Sequence, residues 1–108
     1  MAPTITPLET SFGAVVTDIK IAAMSDAEWQ AVEDAFHEYA ALVFQAQHLT
    51  TQEHVPFGER FGEIEVLRPG QKHAAISTKA ADGHILTEKE KRFQTLRGNE
   101  GWHTDSSY

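Results

Sequence analysis

At 108 residues, with 41% hydrophobic and 23% charged side chains, the chain has the composition of one ordinary globular domain rather than of a disordered segment. Nine basic residues against sixteen acidic ones leave a formal charge of −7, which argues against a nucleic-acid-binding surface or a polybasic membrane contact. The absence of cysteine excludes a disulfide scaffold and thiolate metal sites.

Met1 to Thr6 has no basic stretch followed by an apolar core, so no signal peptide is expected there. No apolar run approaches the length of a membrane span. A cytoplasmic protein without nucleic-acid or membrane partners is the expectation.

Ile5 to Leu8 is short and apolar with Pro7 inside it, which predicts an edge strand or an extended entry. Phe12 to Ile19 predicts a second strand, with Val16 falling between the alternating positions. Ser25 and Glu28 have the spacing of a capping box, and the helix they open should run to about Tyr39. Trp29, Val32 and Phe36 should form its buried stripe, joined by Ala40.

Ala41 to Phe44 is a continuous apolar run and predicts a strand buried on both faces. A loop should follow from Gln45 to Leu49. Thr50 and Glu53 form a second capping-box pair. The helix they open should turn Val55, Phe57 and Phe61 inward, bend at Pro56 and end at Gly62. Arg68-Pro69-Gly70 predicts a turn, Ala74 to Thr78 a strand, and Ala80-Ala81-Asp82-Gly83 another turn. The mixed charges from Thr87 to Gly101 predict a solvated loop or short helix. No internal repeat or domain boundary is visible.

His103 and Asp105 stand two apart. In an extended segment, residues i and i+2 project from one face, so both could reach one ion while Thr104 points away. An imidazole nitrogen and a carboxylate oxygen suit ferrous iron, and two His with one carboxylate would leave three positions open for other ligands. A lone H-x-D pair is weak evidence, since both residues are common in surface turns.

Its surroundings carry more. Asn99-Glu100-Gly101-Trp102-His103-Thr104-Asp105-Ser106-Ser107-Tyr108 resembles the W-H-[ST]-D signature of the taurine dioxygenase/2,4-dichlorophenoxyacetate dioxygenase (TauD/TfdA) family. Ile5-Thr6-Pro7-Leu8 with Gly13-Ala14 looks like that family's opening strand. Ala41-Leu42-Val43-Phe44 with Leu49-Thr50, and Arg60-Phe61-Gly62-Glu63-Ile64, look like two further blocks in the same order.

The resemblance implies an Fe(II)- and 2-oxoglutarate-dependent dioxygenase that releases succinate and carbon dioxide. It implies an α+β, mainly β fold: a double-stranded β-helix (jelly roll, cupin-like) with outer helices. Residues 1–108 would be the N-terminal portion of a single catalytic domain. His103 and Asp105 would be iron ligands, and Asn99 would contact substrate. The second His ligand and the Arg that pairs with 2-oxoglutarate would lie downstream of Tyr108.

Ser106-Ser107-Tyr108 resembles the aryloxyalkanoate branch more than the taurine branch. After Gly62, the residues Leu67, Arg68, Pro69 and Gly70 stand where the taurine-type His and Tyr would be. The expected substrate is therefore a small anionic, aryloxyalkanoate- or sulfonate-like molecule, used with dioxygen. Arg68 and Lys72 offer positive charge, though an exposed role is the ordinary one for such residues. His37, His48, His54, His73 and His84 precede the motif and are expected at or near the surface.

Two other readings compete. One is a truncated, catalytically inactive oxygenase fragment that serves as a binding or dimerisation module; homo-oligomerisation is left open. The other is a hydrolase using His103, Asp105 and Ser106. It suffers because near-adjacent residues on one strand cannot converge as nucleophile, base and orienting acid. A bare polypeptide of this length, with the strand at 41–44 short of neighbours, is expected to fold poorly.

Overall fold

The computed structural model describes residues 2–66 and 68–105. It forms two compact units, 1–72 and 73–108.

The first unit is built on a three-stranded sheet in the order β1 (Thr4–Pro7), β2 (Ala14–Thr17), β3 (Leu42–Phe44). β1 and β2 are antiparallel, with Thr4 opposite Thr17 and Pro7 opposite Ala14. Pro7 is on an edge strand, where its missing N–H does not interrupt a ladder. β2 is shorter than the apolar run from Phe12 to Ile19 predicts. Gly13 enters it at φ +99°, donating to the Tyr39 carbonyl at 2.8 Å, and Asp18 leaves it at φ +60°. Both conformations break the extended backbone.

Ala14 and Val16 share the buried face of β2. The expected misfit at Val16 is not found. Val15 is also apolar but only half-buried, and that blurred the alternation in the sequence.

The chain crosses from β2 to the parallel β3 through a short 3-10 turn (Ile21–Ala23) and α1 (Asp26–Tyr39). The capping box at the start of α1 is complete. Glu28 N–H donates to Ser25 Oγ at 3.1 Å, and Ser25 N–H donates to Glu28 Oε1 at 3.0 Å. Val32 and Ala35 are the buried residues of α1, with Trp29 partly buried beside them. Phe36 is more exposed than its spacing predicts. Ala40 is not on the stripe at all: it is the exposed C-cap, at φ +69°.

The core joins Val16, Ile19 and Val32, with Ile5, Met24, Trp29, Leu42 and Phe44 packed against them. β3 does not meet the expectation of burial on both faces. Among the described residues it pairs with β2 alone, and Val43 is 47% exposed.

α2 (Thr51–Glu59) also starts with a complete capping box, between Thr50 and Glu53. Pro56 lies inside it and denies the Gln52 carbonyl its usual donor. The helix still runs past Pro56 but ends at Glu59, before Gly62. It has no fully buried residue. Its attachment is aromatic: Phe57 and Phe61 meet Trp29, Phe36 and Phe44 in near-perpendicular ring contacts with centroids 5.0 to 6.5 Å apart. Aromatic quadrupoles favour this edge-to-face arrangement. The predicted turn at Arg68-Pro69-Gly70 is present. Gln71 N–H donates to the Arg68 carbonyl at 3.0 Å, and Gly70 takes φ +75°. A Pro followed by a left-handed Gly is the type II pattern.

In the second unit the expected strand at Ala74 to Thr78 does not form. Those residues are exposed, Ile76 to 81%, so the short apolar run has no face to bury. The turn at Ala80 to Gly83 does form, closed by a bridge between Lys79 and Ile85. Leu86 is buried and donates its N–H to the Thr78 carbonyl at 2.7 Å. The charged stretch contains a helix, α3 (Lys91–Gly98), on which Arg97 lies 6.0 Å from the Phe93 ring centroid. Among the described residues no helix is long and apolar enough to cross a membrane.

Candidate metal centre

α3 leads directly to the residues singled out in the sequence. Asn99 is its C-cap, with its backbone N–H on the Thr95 and Leu96 carbonyls. The Asn99 side chain is exposed and makes no hydrogen bond within the described residues. A bend at Gly101-Trp102 follows, and Trp102 is fully exposed. The segment around His103 is not a strand, so the i, i+2 projection of extended backbone is not what pairs the two side chains.

They meet nonetheless. His103 Nε2 lies 3.3 Å from Asp105 Oδ1, with the imidazole half-exposed and the carboxylate almost wholly so. His103 Nδ1 is 2.8 Å from the Gly101 carbonyl oxygen. A carbonyl only accepts, so Nδ1 carries the hydrogen and donates it. That contact orients the ring and leaves Nε2 facing the carboxylate. It has the form of the outer support that metal-bound imidazoles use.

Two donors bound about 2.1 Å from an octahedral ion and at right angles lie about 3 Å apart. The Nε2 to Oδ1 separation is close to that, and the nitrogen and oxygen donor types suit a divalent ion. Two ligands do not complete a site. Among the described residues no group of three or more His, Cys, Asp or Glu is arranged to hold a metal ion. Ser106, Ser107 and Tyr108, and Leu67, lie outside the described residues.

The other sequence candidates are elsewhere. Lys72 Nζ is 4.0 Å from Glu59 Oε2, an exposed ion pair, and Arg68 is exposed in its turn. His37, His48, His54, His73 and His84 are all exposed, as expected. Among the described residues, His84 alone of those five makes ion pairs, with Asp82 and Glu90. Metal-ligand spacing and turn signals, taken separately, do not point to that grouping. Asp82 and His84, two apart around Gly83, carried the available signal.

Comparison with known proteins follows the same lines. The family model for the taurine catabolism dioxygenase TauD, TfdA family matches residues 4–108. An (S)-phenoxypropionate/alpha-ketoglutarate-dioxygenase of Sphingobium herbicidovorans is 43% identical over 106 residues, covering 96% of this chain and 35% of its own length. A protein of the same name from Delftia acidovorans is 37% identical, with 96% and 37% covered. The crystal structure of AAD-2 in complex with Mn(II) and N-oxalylglycine superposes with a TM-score of 0.86 at 30% identity, over 99% of this chain and 38% of that one. The chain thus spans little more than a third of the length of these relatives. With the family model matched across nearly all of its residues, the chain belongs to the taurine catabolism dioxygenase TauD, TfdA family.

Proposed function

We propose that the full-length protein carrying this sequence is an Fe(II)- and 2-oxoglutarate-dependent dioxygenase that hydroxylates a small anionic acid of the aryloxyalkanoate type. The observation that carries this reading is the His103–Asp105 pair: Nε2 and Oδ1 are 3.3 Å apart, with Nδ1 committed to the Gly101 carbonyl. The relatives' phenoxypropionate names support the aryloxy acid over a sulfonate. The complex of AAD-2 with Mn(II) and N-oxalylglycine supports a divalent ion and a 2-oxo acid at the corresponding centre.

His103 and Asp105 would hold the iron through Nε2 and Oδ1. When bound, the iron and 2-oxoglutarate supply the oxidising chemistry, with succinate and carbon dioxide as co-products. The chain's own work is positional. Gly101 fixes the tautomer and direction of the imidazole. Asp105 supplies the negative charge that would attract a divalent cation, and the cation would offset the repulsion between the carboxylate and the Nε2 lone pair. Asn99, the C-cap of α3, would contact substrate in this reading. In this reading residues 1–108 belong to a single catalytic domain of jelly-roll type.

The test is succinate production by the full-length protein supplied with iron(II), 2-oxoglutarate, dioxygen and a panel of aryloxyalkanoates and sulfonates. Iron-dependent succinate formation, greatest with an aryloxy acid, is expected. No iron-dependent turnover, coupled or uncoupled, would sink the proposal; greater turnover with a sulfonate would reverse the substrate assignment.

A further inference from the structure

His84 sits between two carboxylates. Its Nδ1 lies 2.5 Å from Asp82 Oδ1, and its Nε2 lies 3.0 Å from Glu90 Oε1. An ionised carboxylate can only accept, so both contacts are made together by the doubly protonated ring. Asp82 belongs to the Ala80–Gly83 turn, and its Oδ1 also accepts the backbone N–H of His84 at 3.0 Å. Glu90 is the N-cap of α3, and its Oε2 accepts from Thr87 N–H at 3.3 Å. The ring therefore joins a turn to the start of a helix across the intervening segment.

Among the described residues, the charged groups that face the ring are these two carboxylates. Glu88 and Lys89, in the same segment, make no hydrogen bond or ion pair with it. Lys79 lies along the turn, its Cε 4.0 Å from where a Cβ on Gly83 would stand.

We propose that His84 is a pH-operated strap: protonated, it ties the 79–85 turn to the N-terminus of α3, and on losing a proton it releases Glu90. Glu90 is the partner released because the Asp82 contact is local, shorter and braced by the same residue's backbone N–H. The neutral ring keeps its hydrogen on Nδ1, facing Asp82. Release detaches the 87–90 segment and the start of α3 from the turn; among the described residues no side chain, Glu90's included, caps that helix end. The strap stands independently of the oxygenase reading.

Asp82 first, and Glu90 second, hold the imidazole above its ordinary value, and His84 in turn holds the Asp82 carboxylate low. The sign follows. The strap is fully closed below the ordinary imidazole value of about 6.5 and opens as pH rises through the raised value of the folded protein.

The test is NMR of the full-length protein over pH 5 to 9, with the His84 ring assigned by its loss in His84→Gln. The ring should titrate above about 6.5. Amide protection factors of Thr87, Glu90 and Gln94, whose N–H groups bond within the tied segment, should fall about two- to fivefold through that titration after correction for intrinsic exchange, the range for an exposed pair. In Glu90→Gln the ring should titrate lower and the change in protection should disappear. A ring titrating at or below the ordinary value, or protection that stays flat through the titration, would overturn the strap. So would an unchanged protection profile in Glu90→Gln.

Discussion

Trp29 and Phe61 meet edge to face, their ring centroids 5.0 Å apart and their planes at 90°. Trp29 comes from the second turn of α1, and Phe61 from the turn after α2. Phe61 is 43% exposed, yet it also touches Phe36 and Phe57. α2 has no buried residue, so this ring lattice is what joins it to α1 and β3. A double-mutant cycle with Trp29→Ala and Phe61→Ala should give a coupling of about 0.5–1.5 kcal/mol, the usual worth of an aromatic pair beyond its buried area. The measurement is urea unfolding of the full-length protein. Strictly additive losses would show that the two rings are held by their other neighbours.

Ser25→Ala should destabilise the protein by about 1 kcal/mol, since it removes the acceptor for an otherwise orphaned helix N–H. The partner residue adds a pH dependence. Ser25's backbone N–H first, and its hydroxyl second, hold the Glu28 carboxylate below its ordinary range. A lowered carboxylate pKa contributes stability above the unfolded value and loses it as pH falls through the folded one. The stability difference between the native protein and Glu28→Gln should therefore be constant near neutrality and shrink in acid. Urea midpoints collected from pH 7 down to pH 3 would show it; a difference that grows in acid would contradict the cap.

Local chemistry was legible in the sequence, and partnership was not. Both capping boxes and both turns rest on side chains acting within four residues of their own backbone, and all four form as read. Phe36, Ala40, Val43 and the 74–78 run depart from the sequence expectation because their burial depends on what packs against them. Periodicity shows which side of an element is apolar, but it does not show whether another element covers that side. That His103 and Asp105 pair with each other was legible from their spacing, but the geometry of the pairing was not. His103 and Asp105 approach each other through a bend, and the Gly101 carbonyl that orients the imidazole carries no sequence signal.

Ala40→Gly should stabilise the protein, unlike most substitutions of a helix-favouring residue. Ala40 ends α1 at φ +69° and ψ −32°, where a Cβ is crowded, while its N–H still bonds the Phe36 carbonyl at 2.9 Å. Relief of that strain should outweigh the added entropy of the unfolded chain, for a net gain of about 0.5–1 kcal/mol. Thermal unfolding of the full-length protein is the check. A lower midpoint for Ala40→Gly would mean the methyl group is needed for packing.

Asp105→Asn tests the metal assignment more sharply than deletion of the side chain. The amide keeps an oxygen at nearly the same place, so the loop and the Nδ1–Gly101 contact should survive. It removes the negative charge, and a neutral oxygen is a poor substitute for a carboxylate on a divalent ion. Groups that merely support metal ligands cost about 10- to 100-fold in affinity when lost. A direct ligand should therefore cost at least about 100-fold by the same scale. Mn(II) binding to the full-length protein, followed by electron paramagnetic resonance without 2-oxoglutarate, reads this apart from turnover. His103→Ala should be at least as damaging, because it removes the nitrogen donor outright. If Asp105→Asn binds Mn(II) as tightly as the native protein, its 3.3 Å approach to His103 is an exposed ion pair and the ligands must be sought elsewhere.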